Sequence, residues 1–181
     1  MRIEYTLEKI DFMKYQLFAA SKSERIKKSR KNSRIRIPII YFILGLLLFA
    51  LADLIFAIIF IGVGVAWYFL YPYFMKKRYV RHFEKYIDEN YQNRFGKLIA
   101  LDFYGEYIST TDYLGESRLK IKEIAEINEI KDYLFLKFSS GESLIIPKDR
   151  IKNINELNTI LTKIISDLSI NHNIDLDWQW K

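Results

Sequence analysis

The stretch IRIPIIYFILGLLLFALADLIFAIIFIGVGVAWYFLYPYFM, Ile35–Met75, decides the architecture of this chain. About forty almost uncharged residues contain a single acid, Asp53, and Lys and Arg gather at both ends. A run this apolar reads as a membrane anchor. A bilayer core is about 30 Å thick and a helix rises about 1.5 Å per residue, so one crossing takes roughly 20 residues. A single helix over Pro38–Tyr73 is therefore too long, even when tilted. Two crossings in a tight hairpin fit better, the first over about Pro38–Ala52 and the second over about Leu54–Tyr73. The first is short, and Arg34 and Arg36 lengthen it by snorkelling.

Charge sets the orientation. Upstream lie Lys22, Arg25, Lys27, Lys28, Arg30, Lys31, Arg34 and Arg36, and downstream lie Lys76, Lys77, Arg78 and Arg81. Positive charge prefers the cytoplasmic side. Two basic flanks put both termini there and require an even number of crossings. Tyr41 and Phe42 near one flank, and Trp67, Tyr68, Tyr71 and Tyr73 near the other, then form an aromatic belt on one side of the bilayer. Gly62 and Ala66, at a small-xxx-small spacing, are expected to let the two helices approach.

Asp53 has two readings. An acid at mid-membrane would be a proton or ion site. An acid at the outer turn is solvated and caps the second helix. No second polar residue joins it, so Asp53 is read as the hairpin turn.

The basic residues next to the run, Lys22 to Arg36 and Lys76, Lys77 and Arg78, are candidate contacts for anionic lipid headgroups, each worth about 1 kcal/mol near an acidic leaflet. The plainer reading is a topogenic signal. The chain carries a net charge of +6, distributed unevenly. Residues 1–36 hold 11 basic and 4 acidic groups, residues 76–95 hold 6 and 3, and residues 96–181 hold 11 and 14. Basicity beside the membrane and a slightly acidic distal part argue against nucleic acid as a partner.

The chain has no cysteine, so disulfides, thiolate metal sites and Cys nucleophiles are excluded. His82 and His172 stand ninety residues apart with no partner pattern, and no phosphate-cradling Gly-rich loop is present. The reading is of a non-enzyme without metal or cofactor. Met1–Arg34 lacks the apolar core of a signal peptide. The expected location is the inner, cytoplasmic membrane, as a multi-pass protein.

Outside the hairpin, Ile3, Tyr5 and Leu7 alternate as in a half-buried strand. Asp11 is placed to N-cap a helix running towards the basic stretch. Residues 76–93 continue the second transmembrane helix, with Gly96 as its C-cap. From Lys97 the pattern is of short strands: Leu98–Phe103, Tyr107–Thr111, Arg118–Ile121, Ile124–Ile130, Tyr133–Phe138 and Ser143–Ile146, the last closed by Pro147. The three-residue spacing of Ile121, Ile124, Ile127 and Ile130 suits a helix, but the hairpin signals around it favour strand with a helical turn near Lys122–Ala125. Asn153 and Glu156 have capping-box spacing. Leu157, Ile160, Leu161, Ile164, Ile165 and Leu168 then form one apolar stripe. The tail Ser169–Lys181 has no period, and its Trp178 and Trp180 either pack back on the domain, the preferred reading, or touch the membrane.

The opening YTLEKIDFMKYQLFAASKS (Tyr5–Ser23), the basic approach to an apolar pair, and IKEIAEINEIKDYLFLKFSSGESLIIPKDR (Ile121–Arg150) together resemble the YcxB-like bacterial membrane proteins. The KDYLFL strand and the IIPK ending at Ile145–Lys148 carry most of the likeness. Ile121 stands where the family often has an aromatic residue, and a basic residue follows IPK one position late, at Arg150. The resemblance implies a membrane-anchored, pleckstrin-homology-like domain and brings no catalytic residues.

The expected fold is an α+β membrane protein. A two-helix transmembrane hairpin is joined to a small antiparallel sheet or barrel of pleckstrin-homology-like type, capped by a C-terminal amphipathic helix. Its expected segments are an N-terminal strand and basic helix (1–34), the hairpin (35–75, about 36–52 and 54–74), a cytoplasmic helix extension (76–95), the β domain with its helix (96–169) and a tail (170–181). The expected role is a membrane-anchored binding or scaffold module at the inner leaflet, engaging a protein or a lipid headgroup. The alternative is an accessory subunit of a transport or envelope-maintenance complex that acts through its hairpin. Neither the partner nor the oligomeric state is legible.

Overall fold

The computed structural model describes residues 1–180; Lys181, the end of the tail, lies outside the described residues. The chain forms two units, one of Met1–Tyr15 with Tyr86–Gln179, the other of Gln16–Lys85 with Trp180.

The first unit holds two four-stranded sheets. One orders β1 (Arg2–Thr6), β2 (Leu98–Phe103), β3 (Tyr107–Asp112) and β4 (Gly115–Lys120), all antiparallel. The other orders β7 (Ser143–Pro147), β6 (Tyr133–Phe138), β5 (Ile124–Glu129) and β8 (Asn171–Ile174). Neither sheet closes into a barrel. β1 pairs with β2 in the register Ile3↔Leu101 and Tyr5↔Ile99, so segments on either side of the apolar run share one ladder. Ile3, Tyr5, Leu101 and Ile108 are buried from this sheet. β6 sits between β5 and β7, and Tyr133, Leu134, Phe135, Leu136 and Phe138 are all buried on it. Burial on both faces explains why its sequence is a continuous apolar run rather than an alternation.

The isoleucine series resolves into a 3-10 turn at Ile121–Glu123 followed by β5. A strict strand cannot place residues three apart on one face. A register shift between Ile124 and Glu126 supplies the extra residue, and Ile121, Ile124, Ile127 and Ile130 are all buried. Helix α4 (Ile154–Leu168) buries Leu157, Leu161 and Ile164, while Leu168 at its end is exposed. Its capping box does not close. Glu156 accepts from the Asn153 side chain at 3.5 Å, and Asn153 makes no side-chain bond to the helix backbone.

The tail is where expectation and structure part most. Asn171–Ile174 forms β8, parallel to β5, with Asn173 Nδ2 donating to Asn128 Oδ1 at 3.1 Å and the Asp175 amide donating to the Glu129 carbonyl. A four-residue strand reading Asn-His-Asn-Ile is too short to show an alternation, and a parallel partner needs a crossover, not a hairpin turn.

In the second unit, α2 (Glu24–Ala50) and α3 (Leu54–Tyr91, its last turns in the first unit) form the hairpin. Helix α1 (Lys9–Lys22) precedes them, and Ser23 interrupts what the sequence suggested as one helix. The Ser23 hydroxyl accepts from the Ile26 amide at 3.4 Å and so begins α2. Helix α2 passes through Pro38, and α3 through Pro72, without ending. Both are long and apolar enough to cross a membrane. At about 57 Å for its 38 residues, α3 exceeds one crossing. Leu51, Ile55 and Phe69 are at least 70% exposed, which marks the helices as an apolar outer surface and not as a packed core.

The helices approach at other glycines than the spacing suggested. A Cβ on Gly45 would lie 2.7 Å from Ile61 Cγ1 and 3.2 Å from the Ala57 carbonyl, and one on Gly64 would lie 3.2 Å from Tyr41 Cβ. Gly62 has nothing within 4 Å, and Ala66 is exposed. Small-residue spacing identifies a stripe, but which stripe faces the partner depends on the helix's rotation.

Candidate functional site

Two sites emerge, one in each unit. In the first, Asp11 is fully buried. Its Oδ2 accepts from Arg150 Nη1 at 2.6 Å and from the Glu8 amide at 2.6 Å; its Oδ1 accepts from the Tyr133 hydroxyl at 2.7 Å. Arg150 also donates to the Thr6 carbonyl at 2.7 Å. Asp11 is thus not the N-cap of α1. It occupies the third helical position and reaches back to the amide before the helix, the reciprocal half of a capping box. Burial, and then the Asp11 hydrogen bond, push the Tyr133 phenol well above its ordinary range; burial, and then the Asp11 charge, do the same to Tyr5. A buried carboxylate with this many donors is satisfied and paired, as a structural hub requires.

A second polar group joins β5, β8 and the turn after β7. Glu129 accepts from Lys148 Nζ at 2.6 Å and lies 3.1 Å from His172 Nε2. The sequence left His172 without a partner because Glu129 sits 43 residues away on a strand that only folding aligns with it. Among the described residues, no group of three His, Cys, Asp or Glu side chains could hold a metal ion.

In the second unit, the basic candidates divide into two sets. Arg25, Lys27, Lys28, Lys31, Arg36, Lys76, Lys77 and Arg78 are exposed, and Lys27 pairs with Glu24 at 2.8 Å. Lys22 lies over the Phe18 ring. Arg30 and Arg34 are drawn in. Arg34 stacks 4.3 Å from the centre of the Tyr68 ring and donates to its carbonyl at 3.3 Å, and Arg30 lies 5.0 Å from the Trp180 ring and 5.9 Å from that of Tyr79. Guanidinium groups on aromatic faces tie the basic end of the hairpin together. Trp180 is buried there, also edge-on to Tyr79. Asp53 is exposed in the short connection between α2 and α3, where its Oδ1 accepts from the Phe56 amide at 3.4 Å.

Between α2 and α3, toward this basic end, is a groove of about 770 Å³. Ser29, Ser33 and Ile37 line one wall. The other wall runs from Trp67 and Tyr71 to Arg78 and His82. His82, which carried no motif, is therefore part of a shaped surface. The indole N–H of Trp67 is buried and finds no acceptor among the described residues.

Residues 103–164 match the family described as YcxB-like protein. The family likeness read from the sequence holds from the end of β2 to Ile164 in α4. No curated protein and no solved structure matches the chain. The YcxB-like match covers neither the hairpin nor the Asp11 side of the buried hub, so it assigns no role to either.

Proposed function

We propose that this protein is a two-pass inner-membrane protein whose folded α+β unit is held at the cytoplasmic face as a binding or scaffold module. One observation carries the reading. β1, before the apolar helices, pairs with β2, after them, which supports placing both flanks of the run in one compartment. Two crossings allow that placement; one or three do not. The basic residues at both flanks support the cytoplasm as that compartment. The exposed apolar surface of α2 and α3 supports the bilayer as the medium around them.

Seven strands followed by one amphipathic helix support a pleckstrin-homology-like relationship for the first unit, with the hairpin inserted after its first strand. Fold likeness alone supplies no ligand. The partner is a protein or lipid headgroup met at the inner leaflet.

Photocrosslinking in native membranes separates this role from that of an accessory subunit acting through the hairpin. A photoreactive residue at Leu114, an exposed position between β3 and β4, is expected to give protein or lipid adducts. Adducts found only from Ile55, on the exposed face of α3, would favour the accessory-subunit role instead.

A further inference from the structure

We propose that the groove between α2 and α3 is a seat for one anionic phospholipid of the cytoplasmic leaflet. This rests on the membrane-hairpin reading above. Ser29, Ser33 and Ile37 recur every fourth residue along one face of α2. Trp67, Tyr71, Arg78 and His82 follow one face of α3, which runs antiparallel to α2, as the Arg34–Tyr68 and Tyr41–Phe60 contacts show. The groove is therefore graded. Ile37 lies level with Trp67, Ser33 with Tyr71 and Ser29 with Phe74 and Met75, and Arg78 and His82 follow on α3 toward the basic flank.

That gradient has the direction of the leaflet itself. The apolar end lies toward the bilayer centre and the polar end toward the basic flank. A water-soluble anion would use only the polar half, and an uncharged hydrocarbon only the apolar half. An amphiphile with a phosphate uses both: Arg78 supplies a charge-assisted fork to phosphate oxygens and the serine hydroxyls supply neutral donors. The volume falls within the range of about 300–1,000 Å³ for small-molecule sites, enough for the headgroup, the glycerol and the start of an acyl chain. Arg30, Tyr79 and Trp180 pack together at the polar end and brace that wall.

The full-length protein, reconstituted in bilayers of mixed phosphatidylglycerol and phosphatidylcholine and released for native mass spectrometry, tests this. The wild type is expected to retain one phosphatidylglycerol in preference to phosphatidylcholine. Arg78→Gln is expected to reduce that preference by on the order of tenfold, the worth of one hydrogen bond to a charged group. Ser33→Leu, which fills the groove without changing charge, is expected to abolish retention. Lys163→Gln, an equal change of charge at an exposed position of α4 far from the basic flanks in sequence, is expected to leave it intact. Equal losses in Lys163→Gln and Arg78→Gln, or wild-type retention in both groove variants, would overturn the seat. Displacement of the lipid by inorganic phosphate would overturn the choice of a phospholipid. Topology labelling reads the hairpin separately, so the groove can fail while the two-pass anchor stands.

Discussion

Arg150 Nη1 lies 2.6 Å from Asp11 Oδ2, a contact that spans 139 residues and encloses the entire apolar run. With the β1–β2 ladder it makes the hairpin an excursion from a single folding unit. A membrane segment that merely tethered a domain would need no such bond across it.

Breaking that pair leaves a buried charge without its partner. Asp11→Ala or Arg150→Ala should each lower the unfolding free energy by about 3–5 kcal/mol, with Arg150→Ala near the lower end because its side chain is 28% exposed. The combined Asp11→Leu, Arg150→Met change should cost less than the two single losses together, since neither charge then stays uncompensated. Denaturant titration of the protein in mild detergent gives these values. Single losses below about 1 kcal/mol would mean that the hub is not what joins the two flanks.

Tyr5 and Tyr133 predict an alkaline limit. Both phenols are raised above their ordinary value near 10, by burial first and then by Asp11. Above about pH 10 the unfolded chain releases these protons while the folded chain keeps them, so stability is full below that pH and falls as pH rises through it. Unfolding followed at increasing pH should show this fall, and Tyr5→Phe with Tyr133→Phe should flatten it. A slope unchanged in the double variant would remove these two groups as its source.

The hairpin predicts unequal glycines. Gly45→Ala places a methyl against Ile61 and the Ala57 carbonyl and should cost about 1–3 kcal/mol by overpacking. Gly62→Ala meets nothing and should change stability by no more than about 1 kcal/mol, in the stabilising direction. Thermal unfolding in detergent, followed by helical circular dichroism, compares the two. Equal effects would contradict the helix rotation that puts Gly45 and Gly64 at the interface.

What was legible in the sequence followed from local signals. The strands at Leu98–Phe103 and Tyr133–Phe138 appear with the bounds their apolar pattern suggested, because turn residues bracket them. The amphipathic stripe of α4 likewise announced Leu157, Leu161 and Ile164 as core. Long-range partners were not legible. Asp11 looked like a cap because its spacing to the helix start is local, whereas Arg150 and Tyr133 lie more than 120 residues away. His172 and Asn173 looked like tail because parallel pairing to β5 leaves no mark in a strand of four residues. The groove was invisible for a similar reason. Ser29, Ser33 and His82 carry no motif, and only the rotation of two helices turns the serines toward the α3 wall that holds Arg78 and His82.

The central claim is that both flanks of the hairpin occupy the cytoplasm with Asp53 on the far side, and labelling of single cysteines tests it most directly. The chain has no cysteine of its own, so Asp53→Cys and Ser140→Cys each report one site. With a membrane-impermeant thiol reagent, Asp53→Cys should label in intact cells or right-side-out vesicles, and Ser140→Cys only in inverted vesicles. Labelling of both positions from the same side would contradict the two-pass account.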